Sequence, residues 1–414
     1  MTKEMHPLTG VRVLDFSHYL AGPLASMIFA DAGAEVIKVE KPGGDDMRYF
    51  APREASLGGE GPAFLWANRN KRSIVIDLRH EQGQRIAREL AMTADVVLEN
   101  FSVGVMAKYG LDHERLQAIN PRLIYCSVSA FGPTGSLARR PGFDTMMQAE
   151  SGFMSLNGYP DRDGVRTGPA VMDIGTAMMA SNAVLLALLA RERTGVGQKV
   201  DVSLFDTAML MTGYAAMQYL FSGRLSARTG NSSPDVCPNG VFLASDGPIL
   251  ITCSSTGLFR RLFIEALAMP EIGDDPELQT AGGRLAHRER IDAALHRRIA
   301  TASREHWMTR FAAIGIPAGA VRTLAEALES PEVAERRLVS HIPHPTAGQV
   351  PNLRLPIELG ATPLVEPVAA PLLGQHTDQI LAEVLGYDEA ARSAIRASGA
   401  LGMPPAAEAG VQKT

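Results

Sequence analysis

The stretch VRVLDFSHYLAGPLASMIFADAGAEVIKVE, residues 11–40, decides the fold. Two short apolar runs rich in β-branched residues, VRVLDF (11–16) and EVIKVE (35–40), enclose AGPLASMIFADAGA (21–34). Pro23 near the start of that middle stretch and Gly33 at its end are the usual asymmetry of helix termini. Strand, helix and strand joined by such short connections read as one βαβ unit with parallel strands. Working outward, SIVIDL (73–78), DVVLEN (95–100), RLIYCSVS (122–129) and QKVDVSL (198–204) repeat the strand pattern between helix-period stretches. The expected fold is therefore α/β, with a doubly wound parallel sheet.

The 414 residues, 46% hydrophobic and 21% charged, are enough for more than one domain and exclude a disordered or collagen-like chain. A net charge of −5 gives no broad basic footprint, so no nucleic-acid partner is expected. Cys126, Cys237 and Cys253 are too few and too scattered for a disulfide framework or a zinc site, which fits a reducing cytoplasm. MTKEMHPLTG lacks the apolar core of a signal peptide, and no apolar run is read as approaching the ~20 residues that span a bilayer. A cytoplasmic chain with no membrane association is expected.

Past residue 204, a Met-rich helix over about 205–221 gives way to the polar SGRLSARTGNSSPDVCPNG, and VFLASDGPILITC then reads as a hairpin turning at Asp246-Gly247. Helices around 257–268, 288–301 and 304–314 complete a smaller α+β unit. The division expected is a large domain over 1–221, a linker over 222–237, the small domain over 238–340, and a proline-rich return over 341–369 that carries a short strand NLRLPIEL. Residues 370–414 rejoin the large domain and end in a frayed PPAAEAGVQKT.

Strand ends carry the candidate chemistry, because open α/β sheets bind ligands beyond the carboxyl ends of their strands. Lys41 follows the second strand, and Arg69, Lys71, Arg72 and Arg79 surround the third, where they would suit either a polyphosphate or plain solvent. Asn100 and Phe101 end the fourth strand, with Lys108 shortly after, and SVSAFGPTG (127–135) follows the fifth. TGVGQK lies after a helix and before a strand, the reverse of a dinucleotide fingerprint, and HIPH (341–344) lies among prolines; both read as turns. Asp173 stands in GPAVMDIGTAM (168–178), before a long helix-period run that closes with Arg191, Arg193 and Gly195. As a lone acid among small and apolar residues it reads either as a helix N-cap or as an under-solvated nucleophile.

Taken in order, these blocks, together with NRNKRSIVIDL, ADVVLENF, GVGQKVDVSLFD and PLLGQHTDQIL, resemble the class III coenzyme A transferases over about residues 8–386. That family includes formyl-CoA transferase, carnitine CoA-transferase and the 2-methylacyl-CoA racemases. The resemblance implies an interlocked homodimer in which each chain forms a Rossmann-like large domain and a small α+β domain, coenzyme A and acyl-CoA as substrate with no metal, and Asp173 as the covalent nucleophile. It implies CoA contacts at Leu20, Ala21, Lys41, Ile76, Asp77, Leu78, Arg79, Asn100, Phe101, Ser102, Lys108, Ser129, Ala130, Phe131 and Gly132. Succinyl-CoA is the expected donor, and Tyr19, the 143–160 segment, the Met-rich helix and the partner's small domain are expected around the acyl group.

Leu20 and Ser129 stand where oxalate-linked members carry glutamine and lysine, which turns the expected acceptor away from oxalate, and no glycine-rich flap is recognisable between Gly230 and Gly247. In the racemases a histidine shares the proton transfer; Phe143 occupies its place here and carries no proton. A CoA-binding protein without turnover is the remaining alternative, with no reason to keep the acid.

Overall fold

The structure, a computed structural model, describes residues 5–52 and 58–402; the PPAAEAGVQKT tail lies outside the described residues. Residues 11–40 form the expected unit: β1 (Arg12–Asp15), α1 (Ala21–Asp31) and β2 (Glu35–Glu40), with Arg12 beside Glu35 and Asp15 beside Lys38 in parallel register. With β3 (Lys71–Val75), β4 (Val96–Glu99), β5 (Ile124–Ser129) and β6 (Lys199–Ser203) they make a six-stranded parallel sheet of order β3-β2-β1-β4-β5-β6.

Alternation along the strands gives the sheet two apolar faces. Val13, Val36, Val96 and Cys126 face a layer that includes α1 and the later helix Val171–Thr194, whereas Leu14, Ile37, Val97 and Tyr125 face α2 (Glu81–Met92) and the helix Thr377–Glu383. Three helices after β5 matter for the site: α3 (Asp144–Glu150), α4 (Val171–Thr194) and α5 (Leu204–Met211). Gly195 stops α4 in the left-handed region at φ 75°, its N–H returning to the Arg191 carbonyl at 2.8 Å.

α4 corrects the membrane reading. By length and composition it is apolar enough to cross a bilayer, although half of its most apolar window is buried, much of it against α1 and the sheet. The sequence reading missed it because Asp173, Ser181 and Asn182 interrupt the run.

Two of the basic residues read as solvent- or phosphate-facing, Arg69 and Lys71, are internal. The Lys71 ammonium is fully buried, within 3.1 Å of Asp15 and 2.8 Å of both the Pro23 carbonyl and the Asn68 amide oxygen. That pairing starts β3 two residues earlier than the apolar pattern of SIVIDL indicates. Lys38 pairs with Asp45 at 3.0 Å, Arg69 grips Asp31 with contacts of 2.6–3.1 Å, and Arg48 makes two bonds to Glu40 while stacking 3.7 Å from the centre of the Phe64 ring. Burial acts to raise the Asp15 carboxyl, but Lys71, Lys38 and the Ser17 and Ser26 hydroxyls together hold it below the ordinary carboxylate range. Burial pushes Lys71 down to about 8, so both partners are charged at neutral pH.

The chain divides into a larger unit, made of the residues up to Phe153, Thr167–Gly213 and Arg336 onward, and a smaller one, Met154–Arg166 with Tyr214–Glu335. The smaller unit holds the antiparallel sheet β7 (Asn239–Ala244), β8 (Gly247–Thr252) and β9 (Ala318–Ala320), and helices over Arg288–Ile299 and Arg304–Ala313; its first hairpin turns at Ser245-Asp246, one position before the expected Asp246-Gly247, because Gly247 already pairs with Ala244. The 222–237 stretch, expected to be a linker, is tied into this unit. Arg228 donates to the carbonyls of Ser155, Tyr159 and Arg162, and Arg288 donates to those of Ser233 and Val236.

The expected irregular return over 341–369 instead begins inside a hairpin of the larger unit, β10 (Val339–His344) with β11 (Gly348–Leu353). HIPH is thus a strand end rather than a turn: buried His344 accepts the Thr346 and Ala347 N–H groups on its Nδ1, closing the hairpin. Of NLRLPIEL only the first two residues are strand.

Removing one member of a buried ion pair strands the other. Lys71→Met should destabilise the larger unit by ~3–5 kcal/mol, and adding Asp15→Asn should recover much of the loss, as read from denaturant midpoints. A single variant as stable as the parent would show that the pair is solvated.

Candidate active site

The strand order reverses at β1 and β4, where a doubly wound sheet opens a crevice between neighbouring loops. The loop after β1 and the loop after β4 are locked together there. The Asn100 side-chain oxygen accepts the His18 N–H at 2.9 Å, and its NH2 group donates to the His18 carbonyl at 2.7 Å. The next residue, Tyr19, takes the left-handed conformation at φ 62°, uncommon for a bulky side chain. Its N–H donates to Asp45 and its hydroxyl to Asp46, both at 3.2 Å. Gly22 lets the first turn of α1 close on this loop: a Cβ there would sit 2.3 Å from that of Ser17. Burial lowers the His18 pKa, leaving a neutral imidazole beside the Phe101 ring, 5.1 Å between centroids.

These loops, the loop after β5 and the start of α4 surround a cleft of about 260 Å³. Of the residues picked from sequence, Leu20, Ala21, Asn100 and Phe101 line it from the β1 and β4 side. Ser102, Ser129, Ala130 and Asp173 line it as well. Lys41 lies on an adjoining recess that shares His18, Tyr19 and Phe101 with the cleft; its side chain is 61% exposed and pairs with Asp46 at 2.7 Å.

The remainder are placed elsewhere. Ile76 is a core side chain, 1% exposed, because it alternates onto the apolar face beside α2, and Leu78 packs against the same core. Asp77 and Arg79 pair with each other at 2.7 Å, the arginine 76% exposed. Lys108 is exposed and lies 5.6 Å from the centre of the Tyr109 ring. Phe131 packs on Phe205 and beneath Arg140, and Gly132 donates its N–H to the Ser129 hydroxyl at 3.0 Å. The Asn100 amide, taken from sequence as a ligand contact, is occupied by the backbone clamp.

Asp173 is not the cap of its helix. It is the third residue of α4, Ala170 occupies the cap position, and the capping carboxylate comes from Asp144 on α3. Asp144 accepts the N–H groups of Met172 at 2.6 Å and Asp173 at 3.3 Å, and the Gln148 amide at 2.6 Å. One acid thus satisfies the helix terminus and the other is left facing the cleft; among the described residues no donor reaches the Asp173 carboxylate. Burial, with Asp144 adding its negative charge, pushes the Asp173 carboxyl up to about 7. The positive end of the α4 dipole works against that rise.

Sequence reasoning missed Asp144, His18, Arg139 and Arg140, which also belong to this corner. The one available signal for Asp144 was its place after Gly142-Phe143, directly before a helix-period run. Among the described residues, no three His, Cys, Asp or Glu side chains group to hold a metal ion.

A doubly wound domain with an under-solvated carboxylate at a helix start, inside the strand-end cleft, has the makings of a covalent acyl-transfer enzyme. The profile of CoA-transferase family III matches residues 8–377, and the chain belongs to that family. It is 38% identical to the succinate–glutarate CoA-transferase of Agrobacterium fabrum, over 93% of this chain and 97% of that one. It is 36% identical to the succinyl-CoA:glutarate CoA-transferase of Mus musculus, over 96% and 91%. The crystal structure of a CaiB/BaiF family protein from Brucella suis superposes with a TM-score of 0.83 at 39% identity, covering 92% of this chain and all of that one. The protein is a class III CoA-transferase.

If the Asp173 carboxylate must be ionised to react, kcat/KM for acyl-CoA should climb with pH and level off above about 7. Asp144→Asn removes the neighbouring charge and should shift this limb to lower pH. A limb near pH 4, unmoved in the variant, would contradict the role of burial.

Proposed function

We propose that the protein moves coenzyme A from succinyl-CoA to a free dicarboxylic acid of glutarate size, with Asp173 as covalent carrier. What carries the reading is the placement of Asp173: lining the cleft, without a donor among the described residues, and relieved of capping by Asp144. The names of the relatives support the choice of acids.

The Asp173 carboxylate attacks the thioester carbonyl, forming a mixed anhydride and releasing CoA thiolate. The thiolate attacks the aspartyl carbonyl of the anhydride, freeing the donor acid and leaving an aspartyl-CoA thioester. The acceptor carboxylate attacks that thioester and again releases thiolate, which takes the acceptor's carbonyl from the new anhydride and restores free Asp173. Each step exchanges one activated carboxyl derivative for another, so the chief demand on the protein is to keep water from the anhydride. The aromatic rings of Tyr19, Phe143 and Phe101 on the cleft serve that end. Phe143 also leaves the racemase reading without its second proton carrier.

Coenzyme A would lie over the β1 and β4 loops, with Lys41 and Arg79 toward its phosphates. The working form would be the homodimer the family resemblance implies. Met178, Leu186 and Leu189 of α4 and Leu210 of α5 are exposed apolar side chains that a second subunit could cover.

Asp173→Asn should abolish transfer, and parent enzyme given acyl-CoA without acceptor should accumulate an adduct on Asp173 that hydroxylamine traps. An adduct mapped by peptide mass to another residue would overturn the assignment. The same variant should gain stability. The folded carboxyl keeps its proton up to about 7 against an ordinary value of 3.8, so ionisation opposes folding and stability falls as pH rises through that window. At pH 8 the asparagine should raise the unfolding free energy by on the order of 1–2 kcal/mol, allowing for solvent screening.

Lys41→Ala and Arg79→Ala should raise KM for acyl-CoA more than they lower kcat. Unchanged KM in both would place the phosphates elsewhere.

A further inference from the structure

Three basic side chains line the cleft that holds Asp173: His18, Arg139 and Arg140. Burial leaves His18 uncharged at neutral pH. Arg140 is spoken for by two bonds to Glu150, 2.6 and 2.8 Å, and lies 5.3 Å from the centre of the Phe131 ring. Arg139 differs from both. It is exposed, it lines the cleft, and among the described residues no carboxylate or carbonyl accepts from its guanidinium. Its backbone is nevertheless fixed by two turns, Ala138 N–H to the Gly135 carbonyl at 3.3 Å and Arg140 N–H to the Leu137 carbonyl at 2.9 Å.

The same cleft has an electrostatic problem that this cation answers. Asp173 lines it, and Asp144 adds a second carboxylate at the start of α4. An acid that brings one carboxyl to Asp173 and carries another would meet these charges as a like-charged ligand, and only a cation set apart from Asp173 would offset the repulsion. A guanidinium matches a carboxylate with two parallel bonds and stays charged at every working pH.

We propose that Arg139 binds the distal carboxylate of a dicarboxylic substrate while its other carboxyl reacts at Asp173, and so selects dicarboxylic over monocarboxylic acids. The assignment rests on the transferase reading above. The phosphates of coenzyme A are the other source of anionic oxygen, and the test separates the two.

The experiment compares glutarate with valerate, which has the same carbon count and one carboxyl fewer, as acceptors from succinyl-CoA in the full-length protein. Arg139→Gln should lower the glutarate-to-valerate ratio of kcat/KM by ~10-fold or more, the scale of a lost charged hydrogen bond, and Arg139→Lys should restore part of it. Inhibition by free CoA should keep its parent constant. An unmoved ratio would overturn the proposal, and so would a weakening of free-CoA inhibition by the same factor, which would assign the guanidinium to the phosphates. The transferase reading itself fails differently: the parent protein would move CoA to no acid, and Asp173 would take up no adduct.

Discussion

Everything at the cleft rests on charges buried beneath the loop that follows β1. Lys38 donates to the Ser17 carbonyl and to Asp45, and Asp45 in turn accepts the N–H of Tyr19. Asp15 receives Ser17, Ser26 and Lys71, so the last residue of β1 is anchored to β3 and to α1 at once. Fully buried ion pairs add little net stability compared with a well-packed apolar core, but they tolerate few alternative arrangements. Here that intolerance fixes Tyr19 in a conformation it would not adopt unaided, and with it the direction of the cleft wall.

The two acids at the start of α4 show how the fold divides labour. An amide-rich helix terminus needs a carboxylate, and a nucleophile needs to be free of hydrogen bonds that would blunt it. Asp144, buried and triply bonded, answers the first need, so Asp173 is spared for the second. Burial first, and then the nearby Asp144 charge, explain why Asp173 holds a proton so far above the ordinary carboxylate range.

The large domain was legible because parallel strands buried on both faces are near-continuous apolar runs, and such runs stood out between helix-period stretches; the edge strand β6, KVDVS, showed instead as an alternation of apolar and polar residues. Strand ends then pointed to the cleft, since topology alone places ligands there. What sequence could not show was which polar groups are spent internally. Lys71 and Arg69 look like a solvated charge run until the folded chain brings Asp15 and Asp31 against them, and Asn100 looks like a ligand contact until His18 claims its amide. Asp144 and Asp173 are 29 positions apart, and their pairing depends on how α3 and α4 meet. The 222–237 stretch read as a linker because its partners, the carbonyls that Arg228 seeks and the Arg288 side chain that donates to its own carbonyls, lie far away in the chain.

The return of the chain to its first domain has a consequence for how the protein is made. The sheet is complete in its strands once β6 has been synthesised, yet its edge is not. Arg48 awaits the Pro371 carbonyl, Asn70 awaits Val368, Ser73 awaits Gly374 and His376, and Asp77 awaits Ala400. All of these emerge from the ribosome after the smaller unit, whose last residue is Glu335. Translation therefore delivers the second unit whole while the first is still short of its closing strap, and the N-terminal domain is the later of the two to reach its final form.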